Sequence, residues 1–174
     1  MKFILIALVL VAAIGGATYV MKQASLRRER QRLVTELAAL PPVAMDFTTP
    51  EGAILCLEDT YRKHDIEAAV ACRDFVTEAR LWLERDSAYS KELLAEMLPA
   101  MTKTMERSYR EGMAKHWPID WERAQSYFPK REPHADGVVL VSEVTRGPDG
   151  SFLRQRLLVA QTPKGWRVVT HLPK

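Results

Sequence analysis

Hydrophobic spacing divides the chain into a helical first part and a strand-rich last part. Apolar residues recur every three or four positions after Thr49 and Pro50, a pair typical of a helix N-terminus. This pattern predicts a first helix from Pro50 to about Lys63.

Three more helical segments are predicted before residue 118. Asp65 is expected to cap a short helix that ends near Phe75, and a third segment runs from Thr77 to Arg85. The longest pattern runs from Ser87 to Trp117. Pro99 lies within it and is expected to kink or divide the helix.

The hydrophobic period changes after Trp117, where β-branched or alternating runs are separated by Gly147–Gly150 and Thr162–Gly165. These runs are Val138–Arg146, Phe152–Gln161 and Trp166–Leu172. They predict an antiparallel meander of three strands, with an additional strand around Trp121–Phe128. Helices before strands indicate an α+β domain whose N-terminal helices cover one face of an antiparallel sheet.

The register of the two hairpins sorts side chains between the faces of the predicted sheet. We take Arg146 to face Ser151 across the first loop and Gln161 to face Trp166 across the second. One face is then mostly apolar and is expected to lie under the helices. It holds Val138, Leu140, Val144, Leu153, Leu157, Val159, Trp166, Val168 and Leu172.

The opposite face mixes apolar and charged residues, which is typical of a contact surface rather than a solvated sheet. We predict that it binds a protein partner through Val139, Val141, Arg154, Arg156, Leu158, Val169 and His171. Leu158→Asp is then expected to disrupt the contact and leave the fold intact. The alternative is strand propensity alone, with Glu143 opposite Arg154 as a surface ion pair.

The N-terminal region is predicted to anchor the chain, because Phe3 to Met21 carries no charge and is long enough to cross a hydrocarbon layer of roughly 30 Å. Residues 1–22 are then a single transmembrane helix, or alternatively a cleavable signal peptide. Residues 23–45 form a basic juxtamembrane helix and a Pro-containing linker, and residues 46–174 form the folded domain. We expect a single-pass protein of the inner membrane with its domain on the periplasmic side.

Charge is unevenly distributed within the formal net charge of +3. The bases that follow the apolar run are Lys22, Arg27, Arg28, Arg30 and Arg32. Beyond residue 45 acids and bases nearly balance, which argues against nucleic acid as a partner of the domain.

Residues able to carry chemistry are scattered, so we predict no catalytic, cofactor-binding or metal-binding site. The four histidines lack metal-ligand spacing, and neither Gly-x-Ser-x-Gly nor a phosphate-binding glycine loop occurs. Cys56 and Cys72 suit either a disulfide or buried thiols, and we favour thiols. Asp74 is expected to cap a turn or to pair locally rather than to act as a general base.

Several motifs carry a resemblance to a known superfamily. Residues 49–75 and the terminal Gly165-Trp166-Arg167-Val168 resemble the nuclear transport factor 2-like superfamily, whose fold is a cone-like curved antiparallel sheet closed by helices. Glu58-Asp59-Thr60-Tyr61-Arg62, Phe128-Pro129 and Pro148-Asp149-Gly150 look more narrowly like the bacterial immunity proteins of that fold.

This resemblance implies a protein that neutralises a cognate toxin by binding it, and it brings no catalytic residues. A small-molecule-binding or enzymatic cone-fold domain remains an alternative. An accessory module of a cell-envelope complex is a third, and a homodimer is also compatible with the sequence.

Overall fold

The computed structural model describes residues 21–22, 24–25, 27–85, 89–115 and 124–172, with side chains described as far as Thr170. The chain divides into two compact units, Met1–Pro41 and Pro42–Lys174. In the first unit residues 27–38 form helix α1, where Arg32 and Glu36 make an ion pair of 2.8 Å one turn apart. This pair is exposed and contributes little to stability.

The predicted transmembrane helix needs correction. In the part of the chain that the structure describes, no helix is both long and apolar enough to cross a membrane. The described helices carry charged residues in nearly every turn, as in the 25-residue segment Lys91–Lys115. The predicted span, residues 3–21, lies outside the described residues except for Met21. We therefore withdraw the transmembrane helix and the single-pass location in the inner membrane.

In the described part of the second unit, four helices precede the sheet. They are α2 (Pro50–Arg62), α3 (Ile66–Ala71), α4 (Phe75–Glu84) and α5 (Lys91–Lys115). The predicted first helix is confirmed, and the Thr49 side chain caps it by accepting a hydrogen bond of 3.0 Å from the Gly52 backbone N–H. Asp65 caps α3 in the same way, as predicted, and Asp74 caps α4. The second helix ends at Ala71 rather than near Phe75, and α4 begins at Phe75 rather than at Thr77.

Helix α5 is continuous through Pro99, so of the two predicted alternatives, a kink or a division, the division is wrong. The helix gives up one backbone hydrogen bond at that position, and tertiary packing on α4 can offset such a loss. The helix continues past Pro99 to Met105, which lines a groove beside α4, and to Tyr109, whose ring contacts the guanidinium group of Arg73.

Among the residues that the structure describes, the sheet has four antiparallel strands in sequential order. They are β1 (Gln125–Ala135), β2 (Val138–Arg146), β3 (Phe152–Thr162) and β4 (Gly165–Leu172). The fold is α+β, but the sheet is open, so the predicted fold class is corrected both in its closed cone and in its transmembrane helix.

Both edges of the sheet are protected against pairing with another chain. At the β4 edge the Val168 N–H donates to the Cys72 carbonyl at 3.0 Å, and the Asp74 N–H donates to the Val168 carbonyl at 2.9 Å. At the β1 edge Pro129 and Pro133 lack N–H donors, and two register shifts distort the strand. Prolines and irregularities of this kind are common protection for an edge strand.

The first hairpin has a different register from the predicted one. Arg146 pairs with Phe152 rather than Ser151, so five residues, 147–151, lie between the paired strand ends instead of four. Within them the Gly147 N–H donates to the Ser151 carbonyl at 2.9 Å and closes a three-residue turn, in which Gly150 takes φ +74°. Three-residue hairpin loops commonly end on such a left-handed residue. The second register, Gln161 opposite Trp166, is confirmed.

A shift of one residue moves every β2 side chain to the other face relative to β3. The face covered by α2 and α3, called the inner face here, contains Val139, Val141, Glu143, Thr145, Gln155, Leu157, Val159, Trp166 and Val168. The opposite, outer face contains Val138, Leu140, Val144, Arg146, Arg154, Arg156, Leu158, Ala160 and Val169. The predicted sorting is therefore correct for β3 and most of β4 and wrong for β2.

Candidate binding surface

The predicted contact residues are divided between the two faces of the sheet. Val139 and Val141 belong to the inner core under α2 and α3. Arg154 and Arg156 are exposed on the outer face. Leu158 and Val169 lie on the outer face too, but they are only 3% and 0% exposed. His171 lies beyond the described side chains.

The outer face has an apolar end that belongs to the chain's own core. Leu81 of α4 packs against a cluster on this end. The cluster consists of Val138, Leu140, Leu158, Ala160 and Val169. Because Leu158 is buried here, Leu158→Asp must destabilise the fold, contrary to the expectation from the sequence.

The other end of the outer face is basic. Arg146 pairs with Phe152, Val144 pairs with Arg154, and Arg156 follows two positions along β3, so the three guanidinium groups share one face. Diagonal neighbours such as Arg146 and Arg154 are separated by about 7 Å in an antiparallel pair. Among the described residues no ion pair or side-chain hydrogen bond engages any of the three guanidinium groups. We call these three arginines the basic cluster.

Aromatic side chains lie beside the basic cluster. Tyr127 pairs with Val144 and Phe152 pairs with Arg146, which places both rings on the outer face. Both are half-buried, and the Tyr127 hydroxyl donates to the Gln125 side chain at 3.1 Å. Aromatic residues and arginines together are enriched in protein interfaces.

A groove of about 600 Å³ separates α4 and α5 from the outer face, next to the basic cluster. Leu81, Met105 and Leu158 supply apolar lining, and Trp82 stands at its side with 52% of its surface exposed. The polar lining includes Glu78, Glu84, Arg85, His134, Arg156 and Thr170. Arg156 therefore belongs both to the groove and to the basic cluster.

Arg73 fixes the α4 side of the groove to the sheet. Its guanidinium carbon lies 4.9 Å from the ring centre of Phe75 and 4.6 Å from that of Tyr109. The same group makes a 2.6 Å ion pair with Glu78 and donates to the Val169 carbonyl of β4. Cation–π contacts of this kind are stronger when they are shielded from water. The charge of Glu78 is thus balanced by Arg73 and does not offset Arg156.

A second polar group lies on the inner face, where α2 meets β1 and β2. Glu58 and Glu143 are 2% and 1% exposed and share the hydroxyl of Ser126 as a hydrogen-bonding partner. Burial, and then hydrogen bonding and repulsion from Glu143, raise the pKa of Glu58 to about 9. Sequence reasoning missed this pair because the shifted register placed Glu143 opposite Arg154 on the surface. In the structure Glu143 pairs with Gln155.

The cysteines are free thiols, and Cys72 is buried in the inner core. Burial raises the pKa of Cys72 to about 11, which suppresses the thiolate form at neutral pH. Within the described ranges, no group of three or more His, Cys, Asp or Glu side chains is arranged to hold a metal ion.

Comparison with protein-family models gives no match for the chain, and comparison with curated proteins gives none either. Among solved structures, the chain is similar to a phospholipid-binding protein from Ralstonia solanacearum that was solved in complex with a phospholipid. The TM-score is 0.42 and the identity is 16%, over 70% of this chain and 73% of that chain. A similarity at this level supports no conclusion about the fold or the ligand of this chain.

Proposed function

We propose that the second unit is a non-enzymatic binding domain whose outer face receives an acidic segment of a protein partner. The observation that carries this proposal is the basic cluster, Arg146, Arg154 and Arg156, without an acidic side chain paired to it among the described residues. Like charges on neighbouring strand positions repel one another. Carboxylates of a partner would relieve that repulsion and could accept paired hydrogen bonds from each guanidinium.

The groove gives the partner a place for an apolar anchor. Trp82 is exposed beside a lining that includes Leu81 and Leu158, and Arg156 lies at the same site. Interface residues that contribute most to affinity are enriched in Trp and Arg and lie in pockets shielded from water. The partner segment is therefore expected to combine acidic residues with one apolar side chain.

A toxin is the partner that the resemblance to bacterial immunity proteins implies, and we include it in the proposal. Neutralisation would then follow from binding alone. The basic cluster contains no nucleophile or carboxylate for catalysis, and the Glu58–Glu143 pair is occupied by internal hydrogen bonds. Membership of the nuclear transport factor 2-like superfamily is part of this proposal.

Binding to the products of the adjacent genes tests the proposal. One of these proteins is expected to bind the purified chain in isothermal titration calorimetry. Arg154→Ser with Arg156→Ser should weaken that binding at least tenfold, mostly through slower association. Arg131→Ser is the matched control. Arg131 is also exposed, but it lies away from the outer face, and its Nη1 is 3.4 Å from Glu51 Oε2.

Two results would count against the proposal. One is that none of these proteins binds. The other is that a partner binds the double variant and the wild type with equal affinity. If the partner is a toxin, co-expression of the wild type should also restore growth, and the double variant should restore it less.

The groove itself favours a second candidate function, the binding of a small amphipathic anion. Its volume of about 600 Å³ is in the range of ligand sites, and it combines an apolar lining with Arg85 and Arg156. Two glutamates line it as well: Glu78 is paired with Arg73, and Glu84 offsets one of the two arginine charges. Titration with decanoate, followed by tryptophan fluorescence, tests this. The fluorescence change should vanish in Trp82→Phe, and an unchanged response in that variant would reject the groove as the site.

A further inference from the structure

The hydrogen-bond donors around the buried pair Glu58 and Glu143 are too few to satisfy two ionised carboxylates. Thr145 Oγ1 donates to Glu143 Oε1 at 2.7 Å, and Gln155 Nε2 donates to Glu143 Oε2 at 2.8 Å. An ionised carboxylate only accepts hydrogen bonds. Glu143 is therefore surrounded by donors and is the member of the pair that suits a negative charge.

The hydroxyl of Ser126 decides which of the two carboxyl groups carries a proton. Its Oγ lies 2.7 Å from Glu143 Oε1 and 2.5 Å from Glu58 Oε1. A hydroxyl carries one proton and can donate to only one of two carboxylates. If Ser126 donates to Glu143, the short contact with Glu58 is a hydrogen bond only when Glu58 is protonated and donates to Ser126.

The ion pair with Arg62 opposes this assignment but is outweighed by burial. Arg62 Nη2 lies 3.1 Å from Glu58 Oε2 and lowers the pKa of Glu58, whereas burial and the neighbouring Glu143 raise that pKa more. Other charged groups on elements that pack against α2 have different partners: on α3 Glu67 pairs with Arg110, and on β4 Arg167 lies over the Phe47 ring at 3.9 Å. A second ionised glutamate would place two like charges side by side in the core, which is costly.

We propose that Glu58, Ser126 and Glu143 form a proton-sharing latch that holds the start of β1 against α2 and releases it when the proton is lost. Ser126 lies on β1, Glu58 on α2 and Glu143 on β2, so the hydrogen-bonded chain crosses three elements. Arg62 also reaches the Ala124 carbonyl, at 3.5 Å, just before β1 begins. Repulsion between two ionised glutamates would act directly on this attachment.

The direction of the pH dependence follows from the position of the proton. The pKa of Glu58 is raised from 4.5 to about 9 in the folded state. The folded chain therefore holds one proton more than the unfolded chain between these values, and its stability falls as the pH rises through that range. Stability contributed by the latch is complete below about pH 4.5 and is lost as the pH approaches 9.

Infrared spectroscopy and thermal unfolding test the latch. At pH 7 the wild type should show the carbonyl stretch of one buried, protonated carboxylic acid. Glu58→Gln should remove that band, since the amide imitates the protonated acid. The melting temperature of the wild type should fall by roughly 5 °C or more between pH 6 and pH 9, and that of Glu58→Gln should change much less.

Asp59→Asn is the matched control, because Asp59 is the next residue on α2 and pairs with the exposed Lys63 at 2.6 Å. It should retain both the infrared band and the pH dependence. Hydrogen exchange at residues 125–127, corrected for the intrinsic effect of pH, should accelerate in the wild type above pH 8 and not in Glu58→Gln.

Specific results would overturn the proposal. A band that persists in Glu58→Gln and disappears in Glu143→Gln would place the proton on the wrong residue. If Glu58→Gln does not fold, the infrared titration of the wild type decides alone. The absence of a protonated carboxylic acid at pH 7, or a melting temperature independent of pH, would contradict the latch.

Discussion

The two faces of the sheet satisfy their charged residues in opposite ways. On the inner face Glu143 receives hydrogen bonds from Thr145 and Gln155 and is buried. On the outer face Arg146, Arg154 and Arg156 have no such partners among the described side chains. Charge that is enclosed and hydrogen-bonded contributes to the fold, whereas charge left exposed in a cluster is available to a partner. The comparison separates structural polar residues from candidate binding residues on the same strands.

The largest effect is expected at Leu158, where the outer face belongs to the core of the domain. Leu158→Asp should lower the free energy of unfolding by about 4 to 5 kcal/mol, because it places an unpaired charge in a cluster with Leu81 and Val169. Leu153→Asp is the control, since Leu153 is 41% exposed on the same strand. Urea denaturation should give a large shift for the first variant and a small one for the second. Equal shifts would show that Leu158 is not buried.

The inner face is expected to respond to the loss of its central acceptor. Glu143→Ala leaves the donors of Ser126, Thr145 and Gln155 without their carboxylate, and should cost about 3 kcal/mol in the free energy of unfolding. Glu132→Ala removes a glutamate of the same sheet whose side chain is 43% exposed and pairs only with the exposed Lys130 among the described residues, so it should have little effect. A small effect of Glu143→Ala in urea denaturation would mean that water reaches these groups.

A substitution in the turn between β2 and β3, which determines the face that each β2 side chain occupies, should change the free energy of unfolding less. Gly150 has φ +74°, so Gly150→Ala should lower the free energy of unfolding by about 1 kcal/mol through backbone strain. Gly112→Ala is its counterpart, because Gly112 lies in α5 with open space around it and alanine favours helix. Thermal unfolding should show opposite signs for the two variants. A stabilising effect of Gly150→Ala would refute the three-residue turn.

Local signals were sufficient to predict most of the elements. Thr49 and Asp65 mark helix starts by side-chain hydrogen bonds within three residues, and the boundaries of β2, β3 and β4 follow from the change of period. The first strand was predicted around Trp121–Phe128, but β1 runs from Gln125 to Ala135. Pro99 left a kink and a division open in the sequence, because its cost is local and the packing of the continuous α5 on α4 is not visible there.

The candidate site was predicted only in part, because the predicted register of the β2–β3 hairpin is wrong by one residue. Pro148-Asp149-Gly150 can be read within a loop of three or four residues, and that difference decides which face every β2 residue occupies. Arg154 and Arg156 were placed on the outer face correctly, because they lie on β3 with the confirmed second register. The burial of Leu158 depends on α4, far away in sequence, and no local pattern reports it.

The sequence did contain a signal for the buried pair. Glu143 and Thr145 lie two positions apart on β2, where the remaining residues are apolar except for Ser142 and Arg146, and Glu58 lies one position after Leu57 of the core helix. Polar residues at such positions indicate an internal network once the register is known.

The most direct test of the different roles of the two faces is a nuclear magnetic resonance titration of the chain with a short glutamate-rich peptide containing a central leucine. The account predicts shifts of the amides around Arg146 and from Phe152 to Arg156, together with the Trp82 side chain. These shifts should be lost in the Arg154→Ser, Arg156→Ser variant and should be absent with a lysine-rich peptide of the same design. Shifts confined to other surfaces, or unchanged by the double substitution, would contradict the claim that the outer face binds an acidic partner.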